Sequence, residues 1–261
     1  MSKLLTTIRD LQRRKAREKR GLALAEGVRL VEEALASGVT ITGAAVGPAL
    51  EATDRGRALK AALVKAGVAL EEVDDTTFGE LADTDHPQGL VAVVEPRQWS
   101  LADLGTPDAR RTTHQALLVL DGIQDPGNVG TILRSALALG AAGVLALPGT
   151  AELHNPKVLR GSMGASFRLP NLHLSDSEFL DWAGAGKMVL WTTAMDGVDI
   201  RTAHRPTGPL ALLLGNEGAG VRAELAARAS ARVAIPIAEG AESLNVAAAA
   251  AILLWECSRA G

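Results

Sequence analysis

From Ala116 onward, short apolar runs recur along the chain: "ALLVL" (116–120), "GVLALP" (143–148), "MVLWTT" (188–193), "PLALLLG" (209–215) and "ARVAIPI" (231–237). Each is apolar throughout instead of alternating with polar residues. Strands of that kind are buried on both faces, as in a parallel sheet covered by helices. Helical patterns fall between most of them, at 129–139, 156–165, 176–184, 221–229 and 244–257. The predicted class is α/β. Ligands of such sheets bind beyond the carboxyl ends of the strands, so chemistry is to be sought just after each apolar run.

The first part of the chain has a different rhythm. "LAEGVRLVEEALAS" predicts an amphipathic helix with Val28, Leu30, Val31 and Leu35 as its apolar stripe. "ITGAAVG" predicts a strand, "DRGRALKAALVKAG" a helix and "QGLVAVVE" a buried strand. Residues 1–95 therefore read as a small α/β domain. Residues 96–115 hold Pro96, Gly105 and Pro107 with little periodicity, as a linker would. Residues 116–261 form the larger domain.

Composition narrows the function. Hydrophobic residues make up 47% of 261, enough for a core without staples. The single cysteine, Cys257, excludes an internal disulfide framework and a cysteine metal site, and its apolar surroundings mark it as a core residue. No spacing of His, Asp and Glu makes a metal site. No apolar run spans a bilayer, and the basic N-terminus lacks the apolar stretch of a signal peptide, so a soluble cytoplasmic protein is expected. The net charge of −3 hides a basic start: in residues 1–20, eight cations against two carboxylates leave +6. A basic stripe on an acidic protein predicts a polyanion partner, with Arg13, Arg14, Lys15 and Arg17 as contacts. The competing reading is a solvated helix face.

Four stretches carry candidate chemistry. In "DGIQDPGNVGTILRSALALGA" (121–141), Asp125 to Asn128 form a turn and a helix starts near Val129. Arg134 lies inside that helix among Ile132, Leu133, Leu137 and Leu139. It is either a surface arginine or a cation aimed into a cleft and needing an anion. In "LLLGNEGAGV" (212–221), the glycines do not follow a dinucleotide fingerprint and there is no phosphate-loop lysine. Glu217 also sits where a phosphate would approach; a carboxylate ~4 Å from a phosphate charge costs roughly 1 kcal/mol in water and more when sheltered. The stretch is either a plain glycine turn or a backbone wall for a neutral or cationic ligand. In "VAIPIAEGAESLNVAAAAAILLWE" (233–256), a strand ends near Ile235 and an alanine-rich helix opens at Ser243-Leu244-Asn245, with Ser243 as the predicted N-cap. In "HNPKVLRGSMGASFRLP" (154–170), Lys157, Arg160, Ser162 and Arg168 could contact a polyanion, and His154 reads as a surface or structural histidine.

Together these stretches closely resemble the SpoU (TrmH-type) family of RNA ribose 2′-O-methyltransferases. "NVGTILRSA" (128–136), "LLLGNEGAGV" and "IPIAEGAESLNVAAAA" (235–250) match its three motifs in order, over about residues 116–257. Residues 1–95 resemble the family's L30e-like substrate-binding domain through "LAEGVRLVEEAL". The resemblance implies a deep C-terminal trefoil knot of the SPOUT type, S-adenosyl-L-methionine as cofactor, a homodimer, and RNA as substrate, with 23S rRNA ahead of tRNA. It also implies that Gly215, Ile235 and Leu244 hold the cofactor by backbone, and that Thr193, Ala194 and Asn216 line its site. Arg134 is the expected central catalytic residue, forking onto the phosphate beside the target ribose and stabilising the developing alkoxide. Asn128 and Asn245 would orient the ribose or Arg134, and Glu217 would fix the loops, through backbone amides or Asn128. An inactive RNA-binding or ribosome-assembly protein of the same fold is the alternative from another class. Ala247 stands where the third motif usually carries a serine.

Overall fold

The computed structural model describes residues 2–104 and 116–259. In chain order the elements are α1 (Lys3–Leu11), α2 (Arg14–Arg20), β1 (Ala23–Glu26), α3 (Val28–Ala36), β2 (Thr40–Val46), α4 (Asp54–Lys65), β3 (Leu70–Glu72), α5 (Asp75–Gly79) and β4 (Leu90–Glu95). They continue as β5 (Leu117–Asp121), α6 (Pro126–Ala138), β6 (Gly143–Ala146), α7 (Pro156–Ser162), β7 (Asn171–His173), α8 (Asp176–Ala185), β8 (Val189–Asp199), β9 (Leu210–Gly215), α9 (Ala223–Ala226), β10 (Ala231–Ala234) and α10 (Val246–Arg259).

The chain divides into two compact units. One comprises Met1–Gln98 together with His154–Arg168, the other Trp99–Leu153 with Leu169–Gly261. The two compact units depart from the sequence division at 95 and 116 in two places. Segment 154–168 joins the N-terminal unit, because Leu159 and Phe167 are buried in its core with Val28, Leu30 and Val31. The expected linker is partly packed: Leu101 and Leu104 join the core of the second unit. The rest of the linker, residues 105–115, lies outside the described residues.

In the first unit a four-stranded sheet runs β1-β4-β2-β3, antiparallel at β1/β4 and β4/β2 and parallel at β2/β3. Leu24, Ala25 and Glu26, predicted as helical, are strand residues of β1, and the helix starts only at Val28. Gly27, at φ +96, makes the change of direction. Helix α1 is tethered to this sheet by Leu5, Ile8 and Leu11, all buried.

In the second unit six strands run β10-β8-β9-β5-β6-β7, and every neighbouring pair is parallel. β5 and β9 are buried along their whole length, which is why they read as continuous apolar runs. The sixth strand, β7, has three residues and no apolar run to announce it. Helix α6 opens with Asp125 accepting from Asn128 N at 2.7 Å and with Pro126 in its first turn. Helix α8 opens with a full capping box between Ser175 and Glu178. The predicted helix 221–229 shrinks to the single turn of α9, because residues 221–222 are committed to a loop clamp described below. Strand order reverses at β5, whose neighbours are β6 on one side and β9 on the other. The carboxyl ends of β5 and β9 therefore mark the expected site.

Candidate functional site

The glycine stretch leaves β9 at Gly215 and folds back on itself. Asn216 N donates to Gly220 O at 3.1 Å and Gly220 N to Asn216 O at 2.8 Å. The Asn216 side chain fills the turn: its Oδ1 accepts from Gly218 N at 2.9 Å and Ala219 N at 3.2 Å, and its Nδ2 donates to Gly122 O at 3.0 Å. Two amides that a phosphate cradle would offer are thus spent inside the loop. This removes the phosphate-binding reading on geometry, as Glu217 had on charge.

Behind the loop lies a clamp that the sequence did not single out. Asp121, at the end of β5 and in register with Gly215, has a fully buried side chain. Its carboxylate accepts from Arg222 N at 2.7 Å and Arg222 Nε at 2.6 Å. The two terminal nitrogens of Arg222 donate to Asp176, both at 2.7 Å. Hydrogen bonding to Asp176 and then to Asp121 pushes the guanidinium pKa further above its usual value. The clamp fixes the exit of the glycine loop to β5 and α8. Asp121→Ala removes two charge-assisted bonds and strands the Arg222 amide. It is expected to cost about 2–3 kcal/mol in chemical denaturation, while Arg222→Lys, which keeps charge but not the fork, costs less. Equal stability of Asp121→Ala and the parent chain would show the clamp to be energetically idle.

The middle of β8, the loops after β9 and β10 and the start of α10 line one cavity of about 510 Å³. Thr193, Ala194, Gly215, Asn216, Ile235 and Leu244, six residues expected to meet a cofactor, all line it. Thr193 Oγ1 donates to Leu213 O at 3.2 Å, tying the wall to β9. Apolar side chains of Val233, Ile235, Leu244 and Leu253 alternate with the polar backbone of the glycine loop. Of the charged side chains on the wall, Asp196 and Arg232 pair with each other, which leaves Glu217 as the unbalanced charge and favours a cationic ligand. The size is that of a small-molecule site, and the mixture of apolar wall, backbone groups and negative charge fits S-adenosyl-L-methionine.

Beside this cavity the three motifs are joined by side chains. Asn128 Nδ2 donates to Glu217 Oε1, and Asn245 Nδ2 donates to Asn128 Oδ1 at 2.9 Å. Of the two partners expected for Glu217, it is Asn128 that it holds. Asn245 is also the N-cap of α10: its Oδ1 accepts from Ala247 N at 2.9 Å and Ala248 N at 3.3 Å. The cap predicted at Ser243 is therefore corrected to Asn245, two residues on. Ala247 is 3% exposed with its amide satisfied by that cap, so the missing hydroxyl leaves the helix start intact.

Arg134 is brought to the same helix face as Asn128 but not into the cavity. Ile132 and Leu133 point inward, whereas Arg134 is exposed and makes no hydrogen bond or ion pair with the described residues. Both sequence readings, a surface arginine and a cation awaiting an anion, are compatible with this placement; what the structure adds is that no described carboxylate pairs with it. Asn128, Thr131 and Arg134, each three residues apart, form a row along the outer face of α6. Any anion for Arg134 comes from outside the described chain.

The residues expected to contact RNA separate into two groups. Arg13, Arg14 and Lys15 are exposed on α2 or at its start, and Lys19 joins them. Arg14 pairs with Glu18 at 2.7 Å. Arg17 is corrected: it is 4% exposed and donates to Leu11 O at 2.8 Å and Gln12 O at 2.9 Å, closing the C-terminus of α1. Ser162 is also corrected, being fully buried with its hydroxyl donated to Leu159 O at 2.8 Å. Arg160 is held by Glu26 at 3.2 Å and Asp83 at 2.7 Å. Cys257 is buried, and burial pushes its thiol pKa up, as expected of a core cysteine. Among the described residues no group of three His, Cys, Asp or Glu could hold a metal, and no helix is long and apolar enough to cross a membrane.

Comparison with known proteins covers both parts of the chain. Residues 115–255 match the SpoU rRNA Methylase family, and residues 4–92 match the MRM3-like substrate binding domain. The chain is 31% identical over 247 residues to the 23S rRNA (guanosine(2553)-2'-O)-methyltransferase RlmP of Bacillus subtilis, covering 95% of this chain and 92% of that protein. Among solved structures it is similar to an AdoMet-bound rRNA methyltransferase from Sinorhizobium meliloti, with TM-score 0.82, 33% identity, and coverage of 99% and 95% of the two chains. It is equally similar in shape to the SpoU methyltransferase AviRb from Streptomyces viridochromogenes in complex with AdoMet. There the TM-score is 0.85 at 29% identity, covering 99% and 98% of the chains.

Proposed function

The chain belongs to the SpoU rRNA methylase family, and from that premise we propose that it transfers the methyl group of S-adenosyl-L-methionine to a ribose 2′-hydroxyl of 23S rRNA. The observation that supports this most is the meeting of residues from three separate motifs. Strand β8 and the loops after β9 and β10 share one cavity, and the Glu217–Asn128–Asn245 chain ties the start of α6 to its side.

The bound cofactor supplies an activated methyl on a sulfonium. The work left to the protein is alignment and control of charge. Gly215, Ile235 and Leu244 hold the cofactor by backbone, with Thr193, Ala194 and Asn216 as walls. Glu217, the wall charge without a cationic partner on that wall, favours its positive centre. Arg134 forks onto the RNA phosphate beside the target ribose and stabilises the alkoxide as it forms. Its guanidinium stays charged at any working pH, so it orients and stabilises rather than removing the proton. Asn128 and Asn245, fixed by one another and by Glu217, position the ribose.

The polypeptide around this cavity is the deep trefoil knot of the family, and the protein works in the cytoplasm as a homodimer. The outward apolar stripe of α10, with Ile252 37% and Trp255 54% exposed, supports the dimer. Unmodified 23S rRNA and tRNA incubated with labelled S-adenosyl-L-methionine, followed by mapping of ribose methylation, test the reading. Label on a 2′-oxygen of 23S rRNA is the expected result; label on tRNA alone, or none despite cofactor binding, overturns it.

RNA affinity is expected to rest partly on α2. Removing residues 1–20 is a poor test, because Leu5, Ile8 and Leu11 belong to the core. Replacing Arg13, Lys15 and Lys19 by serine leaves that core intact. For each cation that meets a phosphate, its replacement reduces the slope of log K against log salt by about 1. An unchanged slope would assign the stripe to solvent.

A further inference from the structure

The first unit holds a second cavity, of about 660 Å³, between the start of α3, the loop 84–88 and α7. Three guanidinium groups line it, Arg29, Arg55 and Arg160, against one lining carboxylate, Glu26. Arg55 is paired with Glu32, and Arg160 with Glu26 and Asp83. Arg29 and His86, both exposed on the wall, have no hydrogen-bond or ion-pair partner among the described residues.

The walls are built rather than incidental. Buried Glu26 accepts from Asp83 N at 2.9 Å and Thr84 Oγ1 at 2.5 Å, so it anchors the loop as well as Arg160. Gln88 Oε1 accepts from Val28 N at 2.9 Å, which turns the amide so that Nε2 is left as a donor without a partner among the described residues. Gly89 follows at φ +72, and a Cβ there would lie 2.4 Å from Leu50 N, so the loop's exit is fixed too. The result is a preorganised pocket with a cation, a flat imidazole and an amide donor facing one space.

We propose that this cavity receives one unpaired nucleotide of the RNA substrate, its phosphate on Arg29 and its base against His86 and Gln88 Nε2. Unpaired bases splayed from a strand are recognised by such a combination: stacking on a flat side chain, hydrogen bonds to the base edge and a cation on the backbone. A simple anion would need only the arginines. The inference rests on RNA being the substrate, as proposed above.

The test uses the full chain and a fluorescent single-stranded oligouridylate RNA, with uridine monophosphate and polyglutamate as competitors. Arg29→Ala and His86→Ala are each expected to weaken RNA binding about tenfold. Thermal midpoint and affinity for S-adenosyl-L-methionine should stay unchanged. A 4-thiouridine-substituted RNA should photocrosslink within residues 84–88, and the crosslink should fall in the His86 variant. Unchanged RNA affinity in both variants, crosslinks confined to other segments, or displacement by polyglutamate as effective as by RNA would overturn the proposal. Competition by uridine monophosphate as strong as by the oligomer would reduce the site to a free-nucleotide site and overturn it as well. Failure of methyl transfer on every RNA, with binding still dependent on Arg29 and His86, would overturn the methyltransferase reading and leave this site standing. Full methyl transfer with unchanged KM in both variants would do the reverse.

Discussion

Arg134→Ala is expected to lower kcat by about 10³-fold or more while leaving the affinity for S-adenosyl-L-methionine as it is. The size follows from removing a cation, held in place by the RNA phosphate, from a charge that exists only in the transition state. The selectivity follows from position. Arg134 does not line the cavity proposed to hold the cofactor, so its loss leaves that wall intact. It is exposed and makes no internal bond among the described residues, so stability should change by no more than a surface substitution allows, about 0.5 kcal/mol. Arg134→Lys keeps the charge and loses the planar fork, and should recover only part of the rate. Single-turnover methyl transfer and calorimetric titration with the cofactor separate these effects. Near-normal turnover in the alanine variant would remove Arg134 from the mechanism.

The free state of Arg134 bears on that expectation. A guanidinium already paired within the chain would have to break that pair to meet an RNA phosphate. Arg222 is the contrasting case: Asp121 and Asp176 hold it from both sides, which suits a clamp and makes it unavailable to substrate. The two arginines differ in where their counter-charge lies: inside the chain for Arg222, and outside the described residues for Arg134, which leaves it available to the role proposed.

The position of the site at the carboxyl ends of buried strands was legible in the sequence, because the apolar runs mark a parallel sheet and such sheets bind ligands there; the glycine loop alone reads equally as a plain turn. Gly215, Ile235, Leu244 and Glu217 line one cavity, and Asn128 and Asn245 are bonded to its side through Glu217; which of them face a ligand was named by the family resemblance and not by the pattern. Arg17 and Ser162 were not legible. In a run of cations, Arg17 looks like its neighbours; only folding brings its fork to the last carbonyls of α1. Ser162 is small and satisfies its hydroxyl on a carbonyl three residues back, so it can be buried without leaving a trace in periodicity. The same limit explains segment 154–168. Its helical pattern shows which face is apolar but not which core that face joins. Asp121 was hidden for the opposite reason: an acid closing a strand reads as the start of a solvated turn, and its burial depends on Arg222, 101 residues away.

A graded series of alanine substitutions along the glycine loop carries the second large expectation. At Gly215 a Cβ would lie 2.0 Å from the carbonyl carbon of Gly220 and 2.1 Å from Val221 N, both backbone atoms that cannot rotate aside. Accommodating it means opening the Asn216–Gly220 pairing and lifting the loop from the cavity wall. Gly215→Ala should therefore cost about 1–3 kcal/mol of stability and weaken cofactor binding by more than about 100-fold, through loss of a preformed wall. Gly220 has open space around its Cβ position but a φ of +70, so alanine there should cost about 1 kcal/mol and leave most of the affinity. At Gly218 the nearest atom is Asn216 Oδ1 at 3.6 Å and no unusual φ is required, so alanine should be tolerated on both counts. Thermal midpoints and calorimetric titration with S-adenosyl-L-methionine read the series. The order 215, then 220, then 218 in loss of affinity is what a close-packed backbone wall dictates; tight binding by Gly215→Ala would place the cofactor somewhere other than against this loop.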